Sequence, residues 1–267
     1  MRRFWRAVGL CAALAAAPAL RAQDDVPFVV TPDHVTLAML ELAQVGPQDF
    51  VLDLGSGDGR IVINAARRFG ARGLGVEIVP ELVQRSRANA ARAGVAERAR
   101  FAEQDLFKTD LSVASVITMY LMQDVNLQLR PALLRLAPGT RIVSHDWDMG
   151  DWLPDRVRVV DAPDKPVGRE KLSRLMLWVV PASLQGTWCG QGAHAASRLQ
   201  LRQRYQLFDA TLSVGDSRWL LAGRIHGPAL QAAGGFDAYS DGQRLQVRAA
   251  GPAPAALAGA EFERCAG

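Results

Sequence analysis

Over its first two thirds the chain alternates between two hydrophobic rhythms. Val35, Leu37, Met39, Leu40 and Leu42 fall mostly on one helix face after Thr31-Pro32-Asp33, and Gly46-Pro47 ends that helix. Phe50 to Leu54 is a short apolar run that predicts a strand, followed by a helical pattern from Arg60 to Phe69. Arg72–Ile78 predicts a second strand. Pro80 suits the first position of the next helix, which runs to Ala93 and stops at Gly94. Strands follow at Arg100–Glu103, Ser115–Met119 and Arg141–Ser144, with a helix from Val125 to Leu136 and a turn at Pro138-Gly139. This alternation predicts a parallel sheet covered on both faces. Arg156–Val160 and Leu172–Val180 have no long helix between them, so they are expected to pair as a hairpin.

The texture changes after Pro181. Leu199-Leu201, Phe208-Ala210-Leu212-Val214 and Trp219-Leu221 alternate in the two-residue rhythm of strands, divided by turns at Gly215-Asp216, Gly234-Gly235 and Asp241-Gly242. An antiparallel β meander or small barrel is expected over 182–267, after a mixed α/β domain over 23–181.

The N-terminus alters the reading of charge. Met1-Arg2-Arg3-Phe4-Trp5-Arg6 is basic, Ala7–Ala17 is uncharged, and Ala22 precedes the polar Gln23-Asp24-Asp25, the layout of a secretory signal peptide over 1–22. Its apolar run is too short for an ordinary membrane span. The formal charge is +4 for the whole chain; cleavage lowers Lys+Arg from 31 to 27, equal to the 27 Asp+Glu. No basic footprint for nucleic acid remains, and no stable membrane span is expected. Cleavage also removes Cys11, leaving Cys189 and Cys265. In an exported chain such a pair favours a disulfide over two buried thiols. The expected location is therefore periplasmic or secreted, or cytoplasmic if the leader does not function.

The segment Asp53-Leu54-Gly55-Ser56-Gly57-Asp58-Gly59 ends a strand and opens a helix. Its glycines allow a sharp turn and let a ligand lie against bare backbone, near the positive end of the helix. Such loops also hold dinucleotides, and the surrounding acids discriminate. A pyrophosphate beside Asp53 and Asp58 would meet like charge, whereas S-adenosylmethionine (SAM) brings an ammonium and a sulfonium. Glu77 ends the second strand, where a carboxylate accepts ribose hydroxyls. Asp105 follows the third strand, placed for the adenine amino group, with Leu106 over the ring.

Val51-Leu52-Asp53-Leu54-Gly55-Ser56-Gly57-Asp58-Gly59-Arg60 with Gly75-Val76-Glu77 resembles the class I SAM-dependent methyltransferase signature. With Pro27-Phe28-Val29-Val30-Thr31-Pro32 in front, it looks most like bacterial relatives of the ATP-synthase c-subunit lysine methyltransferase group, and distantly like the Dot-type lysine methyltransferases. The resemblance spans about residues 26–160. It implies a seven-stranded Rossmann-like sheet, SAM as cofactor and a protein lysine as acceptor. It assigns Phe28 and Thr31 to a segment lying over SAM. The cofactor set expected is Phe28, Thr31, Asp53, Gly55, Ser56, Gly57, Asp58, Gly59, Glu77, Ile78, Asp105 and Leu106.

On the acceptor side, Tyr120 is expected to orient an amine and Asn126 to hold a polar acceptor. Against this stands a packing role for Tyr120, and the Asn-Pro-Pro tetrad of small-molecule amine methyltransferases is absent. His145, between Ser144 and Asp146, suggests a base or metal site, but adjacent strand residues point to opposite faces. No histidine cluster has metal-ligand spacing, so no metal is expected, and a rim or gating role falls to His145 and Trp147. Two other functions remain open: an exported protein that binds through this fold without turnover, and a small-molecule methyltransferase. SAM is made in the cytoplasm, which gives the first of these its force.

Overall fold

Phe50–Leu54 (β1) is apolar on both faces apart from Asp53, and such a strand belongs at the centre of a covered sheet. The computed structural model describes residues 29–166, 170–251, 253 and 255–265; the 1–22 leader and Phe28 lie outside them. Around β1 stand β2 (Arg72–Glu77), β3 (Ala99–Glu103), β4 (Val116–Met119), β5 (Arg141–His145), β6 (Arg156–Asp161) and β7 (Leu172–Val179). Their order is β3-β2-β1-β4-β5-β7-β6, with β1 to β5 parallel and β7 antiparallel to both neighbours. β6 and β7 form the expected hairpin. The order reverses between β1 and β4, which opens a crevice at the C-terminal edge of the strands.

Helices α1 (Asp33–Leu42), α2 (Arg60–Phe69), α3 (Pro80–Arg92) and α4 (Gln123–Leu133) cover the sheet. One face packs Val51, Val116, Val143 and Leu175 against α1 and α2. The other packs Leu52, Ile117, Ile142 and Trp178 against α4 and Trp152. The last helix is shifted from the expected Val125–Leu136. It starts earlier because Asn126 N–H already bonds Met122 O, and it ends at Leu133, where i→i+3 bonds from Arg135 and Leu136 tighten the turn.

The C-terminal strands β8 (Gly186–Gly190), β9 (Ser197–Arg204), β10 (Leu207–Val214), β11 (Ser217–His226), β12 (Ala229–Ala232), β13 (Phe236–Ser240), β14 (Arg244–Ala250) and β15 (Glu261–Arg264) close into a barrel, each paired with the next in sequence. Of the two expected forms, meander or barrel, the structure takes the closed one. β15 returns to β8, pairing Glu263 with Cys189, and Cys189 and Cys265 form a disulfide across that seam. Trp188, Leu201, Phe208, Phe236, Leu245 and Phe262 fill the interior.

Barrel and sheet meet at the loop after β5. Arg204 Nη2 and Tyr205 Oη each lie 3.0 Å from the Asp151 carboxylate, Gln206 Nε2 donates to Leu153 O at 2.6 Å, and Arg224 pairs with Asp155 at 3.0 Å. The Tyr205 ring stacks on Trp152, which is wholly buried. Among the described residues no helix is long and apolar enough to cross a membrane.

Candidate active site

The turn from β1 to α2 folds back on β2. Gly55 and Ser56 N–H both donate to Val76 O, at 3.0 and 2.9 Å, and Gly57 N–H donates to Glu77 Oε2 at 3.0 Å. Gly59 begins α2 at φ 82°, where a Cβ would meet the Phe101 ring at 2.6 Å. Only glycine satisfies both the left-handed backbone and that contact. Glu77 also accepts from Ile78 and Val79 N–H through Oε1, so three backbone amides hold its carboxylate.

A cavity of about 890 Å3 lies over this turn, at the ends of β1, β2, β3 and β4. Thr31, Asp53, Gly55, Ser56, Asp58, Glu77, Ile78, Asp105, Leu106 and Tyr120 all line it. Gly57 and Gly59 shape the turn without lining the cavity, and Phe28 falls outside the described residues. Asp105 fixes its own loop, accepting from Phe107 N–H at 2.9 Å. Arg60, which the sequence alone did not place in the site, ties it together. Its guanidinium grips Asp58 and donates to Thr31 O at 2.7 Å, fastening the segment before α1 to the glycine turn.

Asp53 is wholly buried and accepts from Thr118 Oγ1 at 2.7 Å. Burial, together with the nearby Asp58 and Glu77 charges, pushes its carboxyl up to about 7 against the opposing Thr118 bond. The Ser56 hydroxyl is buried with no hydrogen-bond partner among the described residues. A cavity with four acids in its wall, an orphaned hydroxyl and, in Asp53, a carboxyl with no counter-cation among the described residues suits a polar cationic ligand.

On the far wall Tyr120 Oη donates to Asp146 Oδ2 at 3.2 Å, and its ring lies 3.9 Å from that of His145. Burial first, then the Asp146 charge, raises the phenol, which stays protonated. His145 corrects the expectation of a rim role, because it is completely buried. Its Nε2 lies 2.8 Å from Ser173 Oγ and its Nδ1 3.4 Å from Thr31 Oγ1. Burial holds it down to about 4, aided by Lys165 and opposed by Asp146, so the ring is neutral near pH 7. The expected separation of His145 from Asp146 also fails. β5 ends at His145, and Asp146 turns into the left-handed region at φ 64°, bringing its carboxylate 3.5 Å from His145 Nε2. Strand alternation stops applying there. Asp146 also accepts from Arg174 N–H and pairs with the buried Lys165.

Asn126 does not reach the cavity. It is fully buried and its amide donates to Trp147 O at 3.0 Å and Ser144 Oγ at 3.2 Å, which ties α4 to the loop after β5. Its expected contact with an acceptor is therefore corrected to a bracing role. Trp147 is exposed at that loop. Among the described residues no group of three or more His, Cys, Asp or Glu is placed to hold a metal ion.

Comparison with known proteins gives this geometry a family. The model of the ANTKMT methyltransferase domain matches residues 53–156. A protein of Saccharolobus islandicus named protein-lysine N-methyltransferase is 44% identical over 138 residues, which are 51% of this chain and 86% of that one. The chain belongs to the protein-lysine N-methyltransferase family. The human ATP-synthase c-subunit lysine N-methyltransferase is 39% identical over 108 residues, 40% of this chain, and the match spans about half that relative, 46% of its length. A crystal structure described as an RNA methyltransferase from Salinibacter ruber with S-adenosyl-L-homocysteine is 50% identical, with a TM-score of 0.53, covering 58% of this chain and 96% of that one. The methyltransferase uses SAM, and the buried Ser56 hydroxyl and the uncompensated Asp53 carboxyl fit that group.

Proposed function

We propose that the methyltransferase transfers methyl groups from SAM to lysine side chains of protein partners, with the cavity over β1–β4 as its cofactor site. The observation that carries this reading is the convergence of Asp53, Glu77 and Asp105 on one cavity whose opposite wall is Tyr120. Asp53 would hold the cationic end of SAM, Glu77 the ribose hydroxyls and Asp105 the adenine amine, with Ile78 and Leu106 against the ring. Bound SAM supplies an electrophilic methyl on a sulfonium. With SAM bound, the acceptor amine's lone pair would form the new N–C bond as the S–C bond breaks, its electron pair going to sulfur. The amine's proton passes to solvent.

The chain's part in that reaction is to hold the amine in line and shield the site from water. The Tyr120 hydroxyl donates its hydrogen bond to Asp146, which leaves phenol lone pairs free to accept an N–H of the amine. His145, neutral and buried, packs against the Tyr120 ring and fixes its orientation. A protein acceptor is supported by the named functions of the Saccharolobus and human relatives. The formal neutrality of residues 23–267 speaks against a nucleic-acid acceptor, although the Salinibacter relative is described as acting on RNA. Export by the 1–22 leader is part of the same reading, supported by the leader's composition and by the Cys189–Cys265 disulfide. A reporter fused to residues 1–30 tests export; retention in the cytoplasm removes it. Transfer of labelled methyl into fractionated extract tests the acceptor, with protease-sensitive label expected and nuclease-sensitive label against the reading.

A further inference from the structure

A second cavity, of about 580 Å3, lies over the β6–β7 hairpin, and Asp146 forms part of its wall. The Tyr120–Asp146 hydrogen bond joins a side chain that lines the cofactor cavity to one that lines this groove. Val157, Val159 and Leu172 make its apolar walls and are 46%, 59% and 41% exposed. β6 is the edge strand of the sheet, bonded among the described residues only to β7. Exposed Arg156, Arg158 and Asp161 guard the open edge of β6, while Val157 and Val159 leave an apolar stripe beside the reactive site that suits an apolar occupant.

The chemistry of that occupant is displayed inside the molecule. The Lys165 ammonium pairs with Asp146 and donates to Leu172 O at 2.7 Å. Lysine is scarce here: Lys108, Lys165 and Lys171 are the three in a chain with 28 arginines. The plain reading of Lys165 is a neutralising partner for a half-buried carboxylate. Yet Arg174 lines the same groove and leaves the carboxylate to lysine, bonding it only through its backbone N–H. A carboxylate that takes an alkylammonium, apolar walls for a methylene stem and a tyrosine of the cofactor cavity within one hydrogen bond are the parts an acceptor lysine needs.

We propose that this groove receives the acceptor polypeptide as an extended segment along β6. Apolar residues flanking its lysine lie on Val159 and Leu172, and its ammonium takes the place of Lys165 on Asp146 next to Tyr120. The proposal rests on the protein-lysine reading above. Lys165 is then a resident competitor of the substrate, and specificity is for lysines with apolar neighbours.

The test uses the full chain, labelled SAM and two synthetic peptides, each with a single lysine flanked by valine and leucine or by serine and glutamate. The apolar peptide is expected to be the better acceptor. Val159→Asn and Leu172→Asn, both exposed and so compatible with folding, should each raise its KM about tenfold and leave the Kd for SAM unchanged. Lys165→Met should lower that KM, which a merely structural lysine would not do. Equal KM values for wild type and both asparagine variants overturn the docking surface while leaving lysine methylation standing. Label in neither peptide, with none in any protein of an extract, overturns both readings together.

Discussion

Replacing Asp53 by asparagine keeps the shape of a wholly buried side chain and removes its charge. In the free protein burial and the Asp58 and Glu77 charges raise this carboxyl from an ordinary 3.8 to about 7. SAM places positive charge beside it and returns it toward its ordinary value, so binding at acidic pH must first expel a proton. The cost follows from the two protonation equilibria: the Kd for SAM at about pH 5.5 should be about 25-fold that at about pH 7.5, or about 2 kcal/mol. Near pH 6 about one proton should be released per SAM bound. Calorimetric titration in two buffers of different ionisation heat counts that proton directly. Asp53→Asn should bind more weakly at neutral pH, with no proton release and a flat pH profile. The stability of the free protein carries the opposite sign. Because the folded value lies above the unfolded one, Asp53 costs nothing below about pH 4 and destabilises increasingly as pH rises through about 7, by up to about 4 kcal/mol. Asp53→Asn should accordingly melt higher than wild type at about pH 8 and alike at about pH 4. A pH-independent wild-type Kd with no proton release would refute the assignment of Asp53 as the residue facing the cation.

Glu77→Ala removes the carboxylate that three backbone amides hold in the cavity wall, and calorimetry should show SAM binding weakened at least about tenfold. Reducing the Cys189–Cys265 bridge frees a loop of 76 residues and should destabilise the barrel by about 4 kcal/mol in denaturant melts. Asp151→Asn loosens the contact of Arg130, Arg204 and Tyr205 with the loop that begins at Asp146, so the KM for the acceptor should rise while the Kd for SAM stays fixed. A change in both alike would instead mean a general loss of folding.

The sheet is legible because its central strands β1, β4 and β5 are short apolar runs bounded by turn residues, and successive carboxylates fall at strand ends. Asp53, Glu77 and Asp105 meet for that reason: parallel strands all deliver their C-terminal residues to one edge. The acceptor side was less legible because its contacts are long-range. Asp146 and Lys165 come from separate loops, and their meeting depends on a left-handed residue that strand alternation cannot foresee. Asn126 misled for a similar reason. A polar residue at the start of a helix near a site is equally apt to brace the loop beyond it, and here Trp147 O and Ser144 Oγ take its donors. The Arg60 clamp has a sequence signal of its own, since an arginine two residues after Asp58 is placed to grip it. Barrel closure needed the pairing of β15 with β8, separated by most of the domain, and only the two cysteines hinted at it.

The most direct measurement is transfer of labelled methyl from SAM by the purified full-length chain into extract protein, followed by amino-acid analysis of the hydrolysate. Methyllysine is the expected product, formed by wild type and lost in Asp53→Asn and Glu77→Ala. Label confined to RNA, or tight SAM binding with no methyllysine in any fraction, would contradict protein-lysine methylation.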